Sequence, residues 1–228
     1  MPIQNIELFH EQDSNRQTPI IIVPTFEKES ANLWKELQAF GCQNFIFAAV
    51  SVENWEKDLS PWEAKKVFKG GSDFGSGADK HIIILADNIL PQIRQQTGSS
   101  EGPCYLAGYS FAGLFALYSL YKTNLFAGAA SVSGSLWFPG FTGFAIEHKF
   151  PRKPDALYFS LGDKESSTRN GIMKTVGENT EQLFSHYNKL NINCTYETNP
   201  GNHFQEPEKR LAKGIAWLLK ESKADCFR

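Results

Sequence analysis

Short apolar runs punctuate the chain, and segments with a helical stripe separate most of them. Pro19-Ile-Ile-Ile-Val-Pro24, Asn44-Phe-Ile-Phe-Ala-Ala-Val-Ser-Val52, Phe126-Ala-Gly-Ala-Ala-Ser-Val-Ser-Gly134 and Ala156-Leu-Tyr-Phe-Ser-Leu161 are continuous rather than alternating. That is the pattern of strands buried on both faces of a parallel sheet. Cys194 to Thr198 reads as a further strand and Ile6 to Phe9 as an opening edge strand. Between them, Ala31 to Phe40 reads as a helix with Ser30 as its cap and Gly41 at its end. Ala78 to Gln96 carries an apolar stripe (Ile82, Leu85, Ile89, Leu90, Ile93), and the spacing predicts further helices from about Ile172 to Leu190 and around Leu211 to Leu219. Strands alternating with helices of this length predict one doubly wound, mostly parallel α/β sheet with helices on both faces, in a single domain over residues 1–228.

Two stretches break the alternation. From Glu53 to Gly77 the chain is irregular, rich in aromatic residues and glycine, which suggests a shaped surface loop or a lid beside a site. Its glycines match neither a phosphate-binding loop ending in Gly-Lys-Ser/Thr nor a dinucleotide fingerprint following a strand directly. Ser135-Leu-Trp-Phe-Pro-Gly-Phe141 reads as an aromatic loop at the end of a strand.

Composition narrows the function classes. Apolar residues make up 41% of the 228 and charged residues 21%, as in an ordinary globular domain. A formal charge of −2 gives no reason to expect nucleic acid or an anionic membrane as partner. The first ten residues lack a basic segment followed by an apolar one, and no apolar run reaches the roughly 18 residues of a membrane span. Cys42, Cys104, Cys194 and Cys226 are scattered with no C-x-x-C pair or zinc spacing, so reduced thiols and a cytoplasmic location are expected.

The chemistry points to Cys104-Tyr-Leu-Ala-Gly-Tyr-Ser-Phe-Ala-Gly113, followed by Leu-Phe-Ala-Leu-Tyr118. It reads as a strand, a tight turn with Ser110 at its tip, and a helix immediately behind. Gly108, Ala112 and Gly113 are small where a sharp strand-to-helix turn crowds its neighbours. This is the nucleophile elbow of α/β-hydrolases, with Ala112 in the place of the second motif glycine. By itself the pattern also fits a serine that only caps a helix. The order of the following residues decides between the two.

An open α/β sheet binds ligands at the carboxyl ends of its strands. Ser110, the carboxylates of Gly162-Asp-Lys-Glu165, and His203 all fall at such ends, in the order Ser, acid, His expected of this fold. A serine hydroxyl needs a neighbouring imidazole to take its proton, and the imidazole needs an acceptor to fix its tautomer. His203 follows the last strand on a Pro-Gly-Asn turn, whereas His10, His81, His148 and His186 lie at an edge strand, in helices or in a polar loop. Glu165 fits the usual Gly-x-x-acid turn, while Asp163 is the alternative acid or a turn cap.

Several of these segments together resemble the putative esterase family of the α/β-hydrolase superfamily, which includes esterase D-like and trilactone siderophore esterases. The resemblance is carried by Leu106-Ala-Gly-Tyr-Ser-Phe-Ala-Gly-Leu-Phe115, Ser133-Gly-Ser-Leu-Trp137, Leu161-Gly-Asp-Lys-Glu165 and Gly201-Asn-His203. Asp58-Leu-Ser-Pro61, Gly77-Ala-Asp-Lys80 and Ile89-Leu-Pro91 add to it. It implies hydrolysis of a small-molecule ester through an acyl-enzyme, without a cofactor or metal. Ser110 would be the nucleophile, His203 the base and Glu165 its partner. The N–H groups of Phe111 and Phe26 would bind the oxyanion, and Trp55 and Trp137, with Phe74 and Phe138, would wall the substrate site. The chain departs from the resemblance after its first buried strand, where Pro24-Thr-Phe26 stands in place of an Asp-Gly or His-Gly loop. A non-catalytic binding protein on the same fold, or a thioesterase or peptidase, are the alternatives.

Overall fold

In a computed structural model, residues 5–11, 14–26, 30–67 and 70–221 are described. Cys226 lies outside them. Among the described residues, seven strands form one sheet: β1 (Ile6–His10), β2 (Ile20–Thr25), β3 (Ile46–Ser51), β4 (Cys104–Tyr109), β5 (Phe126–Val132), β6 (Ala156–Gly162) and β7 (Cys194–Asn199). Their spatial order is β1-β3-β2-β4-β5-β6-β7. Only β1, at one edge, runs antiparallel to its neighbour; the remaining pairs are parallel. The expected doubly wound, mostly parallel sheet is therefore present.

The continuous apolar runs have the expected cause. Ile20 and Ile22 enter one core layer while Ile21 and Val23 enter the other, and Leu106 and Ala107 split the same way. With both faces covered, the inner strands are apolar at nearly every position, whereas the edge strands β1 and β7 carry polar residues. One layer is closed by α1 (Ser30–Ala39) and α8 (Pro207–Glu221), and the other by α5 (Phe111–Lys122) and α7 (Val176–Lys189). Among the described residues no helix is long and apolar enough to cross a membrane. Cys42 and Cys104 are buried free thiols and Cys194 is a half-buried one.

Three local readings change. Ser30 is the first residue of α1 rather than its cap, and its hydroxyl donates to the Glu7 carboxylate on β1. The helix expected from Ala78 is interrupted. It runs as α3 (Ala78–Ile84), a π-helical turn over Leu85–Ile89, and α4 (Leu90–Thr97). Pro91 has no N–H to bond the preceding turn, and the Leu90 N–H reaches back five residues to the Leu85 carbonyl. Finally, Phe141–Glu147, at the end of the aromatic loop and beyond it, forms a short helix, α6.

The irregular connection after β3 is anchored rather than free-standing. It contains a single helical turn, α2 (Trp55–Asp58), and an antiparallel bridge between Ala64 and Phe74. The Phe74 ring is buried, and the Trp62 indole donates to the Pro139 carbonyl at 3.0 Å.

His81, on α3, lies in this packing rather than at the strand ends. It is 2% exposed and stands edge-on to Phe115. Burial pushes its pKa down to about 4, with the Asp58 charge opposing weakly. The unfolded chain therefore takes up the proton first, near the ordinary imidazole value of about 6.5. The stability that neutral His81 contributes is complete above that pH and falls as pH drops toward about 4. Over that window the wild type is expected to lose roughly 3 kcal/mol from this group. Urea unfolding across the range should show His81→Leu losing less than the wild type. Equal losses in the two proteins would contradict it.

Candidate active site

The strand order reverses between β3-β2 and β4, so a crevice opens at the carboxyl ends of β2 and β4. Ser110 sits there, between the last residue of β4 and the first of α5. Its backbone has φ 58° and ψ −119°, a conformation held by its surroundings at some cost. The Ser110 N–H donates to the Val132 carbonyl on β5, and the Ser110 carbonyl accepts from the N–H of Gly113, Leu114 and Ser135. A Cβ on Gly108 would stand 2.3 Å from the Ala112 carbonyl carbon, and one on Gly113 would stand 2.9 Å from the Gly108 oxygen. The small residues of the elbow are thus explained by direct backbone contact.

That contact predicts a large effect at one position. Gly108→Val should destabilise the fold by about 2 kcal/mol or more, since the clash is with backbone rather than a movable side-chain end. Chemical denaturation measures it, and an unchanged midpoint would contradict the tight elbow.

Ser110, His203 and Glu165 are brought into one hydrogen-bonded line. Ser110 Oγ is 3.1 Å from His203 Nε2, and His203 Nδ1 is 2.8 Å from Glu165 Oε2. Such a line can take the serine's proton onto the imidazole and support the resulting cation. Asp163 is placed elsewhere: its Oδ1 accepts the Gly201 N–H at 2.7 Å, holding the turn that carries His203. Gly201 has φ +99° in that turn, and a Cβ there would meet the Gln205 side chain.

Glu165 is buried and densely bonded. Its Oε1 accepts from the Gly162 N–H at 2.6 Å and the Ser133 hydroxyl at 2.7 Å, with Arg210 Nη1 at 3.5 Å. Burial alone would raise its pKa. The hydrogen bonds from His203, Gly162 and Ser133, helped by the His203 charge, outweigh burial and hold it below the ordinary carboxylate value. It is ionised throughout the neutral range.

Arg210, on α8, is buried and touches this whole arrangement. Its guanidinium donates to the Pro200 carbonyl at 2.6 Å and the Asn202 carbonyl at 3.0 Å, and its Nη1 lies 3.4 Å from the Tyr109 hydroxyl. The Tyr109 hydroxyl in turn donates to the His203 carbonyl at 2.6 Å. Ser135 Oγ lies 3.3 Å from Ser110 Oγ. Sequence reasoning assigned no role to Arg210, Tyr109, Ser133 or Ser135. Tyr109, Ser133 and Ser135 carried a signal only as members of the segments Leu106–Phe115 and Ser133–Trp137 of the resemblance.

Two clefts meet at Ser110 and His203. One, about 310 Å³, is lined by Val23, Phe26, Leu33, Trp55, Phe204 and Glu208 among others. The second, about 380 Å³, is lined by Trp55, Glu56, Ser135, Trp137, Met173 and Phe204 among others. Trp55 and Trp137 therefore line the site, whereas Phe74 and Phe138 are buried in the core behind it. Phe111 opens α5, so its N–H has no intrahelical acceptor. Phe26 follows β2, half exposed, with its ring stacked on Trp55 at 4.2 Å.

No protein-family model matches the chain. An uncharacterized protein of Bacillus subtilis (strain 168), YbbA, is 19% identical over 211 residues, 87% of this chain and 83% of that one. Among solved structures, an IroE-like serine hydrolase from Shewanella oneidensis superimposes with a TM-score of 0.80 at 18% identity, covering 95% of this chain and 76% of the other. The siderophore hydrolase EstA from Aspergillus nidulans gives 0.69 at 17%, covering 92% and 84%. The enterobactin esterase FES from Shigella flexneri gives 0.70 at 14%, covering 95% of this chain and 55% of that one. At these identities the likeness establishes the fold, which is the α/β-hydrolase fold.

Proposed function

We propose that this α/β-hydrolase-fold protein is a serine carboxylesterase acting on a small-molecule ester. The observation that carries the reading is the line Ser110 Oγ–His203 Nε2 at 3.1 Å and His203 Nδ1–Glu165 Oε2 at 2.8 Å, at the mouths of two clefts. Ser110 attacks the ester carbon as its proton passes to His203 Nε2. The negative charge moves to the carbonyl oxygen, which the N–H groups of Phe111 and Phe26 receive. Collapse expels the alcohol, protonated by His203, and leaves an ester on Ser110 Oγ. Water, deprotonated by the same imidazole, then releases the acid and restores the serine. Glu165 holds the Nδ1 proton throughout and supports the imidazolium. Every step uses groups of the chain and water.

The names of the structural neighbours, serine hydrolase, siderophore hydrolase and enterobactin esterase, support ester cleavage as the reaction class. The reading is tested with a fluorophosphonate probe, which bonds only to an activated serine. Stoichiometric labelling at Ser110, with hydrolysis of p-nitrophenyl butyrate abolished by the label, is the expected result. An unlabelled native protein would instead favour a ligand-binding role on the same fold.

A further inference from the structure

The chemistry above leaves open which esters the clefts admit, and their linings bear on that. Each cleft carries one carboxylate beyond the Glu165–His203 pair: Glu208 in the first and Glu56 in the second. Among the described residues, no Lys or Arg lines either cleft. Neither Glu56 nor Glu208 takes part in an ion pair among those residues. Among the described residues, both carboxylates therefore stand without a cationic partner at the walls of the space where substrate must sit.

Aromatic residues stand beside these carboxylates in both clefts. Trp55 and Phe204 border both clefts, Phe26 the first and Trp137 the second. Phe26 and Trp55 are stacked with centroids 4.2 Å apart, and Phe204 is 86% exposed. Aromatic faces attract cations through their quadrupoles, and the attraction adds to that of a nearby carboxylate. The same combination repels an anion: in either cleft it meets a carboxylate and negative ring faces and, among the described residues, no cation to neutralise it.

We propose that these clefts select esters bearing a positive charge, such as an ammonium or quaternary ammonium group, and exclude anionic esters. The proposal rests on the serine esterase reading and specifies its substrate class. Trp55, shared by both clefts, and the carboxylates of Glu56 and Glu208 set the preference. Because the carboxylates stand in separate clefts, each sets the preference on its own side of the scissile bond.

The test uses p-nitrophenyl esters that share a leaving group and acyl length: butyrate, 4-(trimethylammonio)butyrate and hemisuccinate. A choline ester and a neutral alkyl ester of butyric acid place the charge on the alcohol side. The expected result is that kcat/KM for 4-(trimethylammonio)butyrate exceeds that for hemisuccinate, and that for the choline ester exceeds that for the neutral alkyl ester, by at least about tenfold. The advantage should shrink as salt is raised. In the Glu56→Gln/Glu208→Gln protein, the cation-to-anion ratio should fall toward one, each rate being normalised to butyrate in the same variant. Hemisuccinate cleaved as well as the cationic esters, or a ratio unmoved in the double variant, overturns the proposal while butyrate hydrolysis leaves the esterase reading standing. Absence of turnover on every ester, together with no fluorophosphonate labelling of Ser110, overturns both.

Discussion

Ser110→Ala protein is expected to lose ester hydrolysis by about 10⁴- to 10⁶-fold in kcat, with an unfolding midpoint close to wild type. Removing the nucleophile of a serine, histidine and acid set abolishes the acyl-enzyme route and leaves only the contribution of binding and oxyanion donors. The fold should tolerate the change because the serine side chain supports little of it. The bonds that hold the elbow run through the Ser110 backbone, to Val132, Ser135 and the first turn of α5. Ser135 Oγ is the nearby hydroxyl, 3.3 Å from Ser110 Oγ. Turnover within tenfold of wild type in Ser110→Ala would remove Ser110 from the mechanism, and Ser110→Ala/Ser135→Ala would show whether the neighbour had taken over.

The acid should respond almost as strongly, and in a way that separates two carboxylates only two positions apart. Glu165 Oε1 accepts from Gly162 and Ser133 and faces the Arg210 guanidinium. All three are donors, so in Glu165→Gln the amide oxygen stays with them and the NH₂ turns toward His203 Nδ1. An NH₂ there favours the imidazole tautomer that carries its proton on Nε2, and that tautomer cannot accept the serine's proton. A loss of at least about 10²-fold in kcat, approaching 10⁴, is expected. Asp163→Asn should differ little, because Asn can keep its carbonyl oxygen on the Gly201 N–H that Asp163 holds at 2.7 Å. A loss of about 1 kcal/mol in stability is its expected cost. Steady-state rates of both variants on one chromogenic ester decide the matter. A crippled Asp163→Asn beside a near-normal Glu165→Gln would reverse the roles, and two near-normal rates would leave Ser110 and His203 as a dyad.

The parts legible in the sequence are those with short-range causes. Ile20 to Val23 could be read as a buried strand because both faces of a parallel sheet demand apolar residues, whatever the neighbours are. The elbow was legible because Gly108 and Ala112 collide within five residues of chain. The fold also brings together Ser110, Glu165 and His203, whose order was read from strand ends alone. What the sequence hid depends on partners far along the chain. Phe141–Glu147 carries Thr142 and Gly143, poor helix formers, and its Phe141 and Ala145 are buried. Its Phe144 ring also packs against Trp62, Tyr118 and Tyr121. Arg210 belongs to an amphipathic helix where a charged residue reads as solvent-facing. Only the meeting of α8 with the end of β4 and the turns after β6 and β7 reveals four acceptors around its guanidinium. The Gly-x-x-acid spacing favoured Glu165 over Asp163, but what each does is non-local: both reach the turn after β7, Glu165 at the His203 ring and Asp163 at the Gly201 N–H.

The position of Arg210 has a consequence for biosynthesis. A ribosome releases Ser110 early, while Glu165 and His203 follow well behind it, and the guanidinium that gathers the carbonyls of Pro200 and Asn202 comes after all three, on α8. A nascent chain stalled just before Pro207 would already possess nucleophile, acid and imidazole, with Asp163 and Tyr109 on the His203 turn, yet it would lack the guanidinium that gathers the Pro200 and Asn202 carbonyls. The last ties of that turn therefore form when α8 docks across β4, β5 and β6, after every member of the Ser110–His203–Glu165 line has been made.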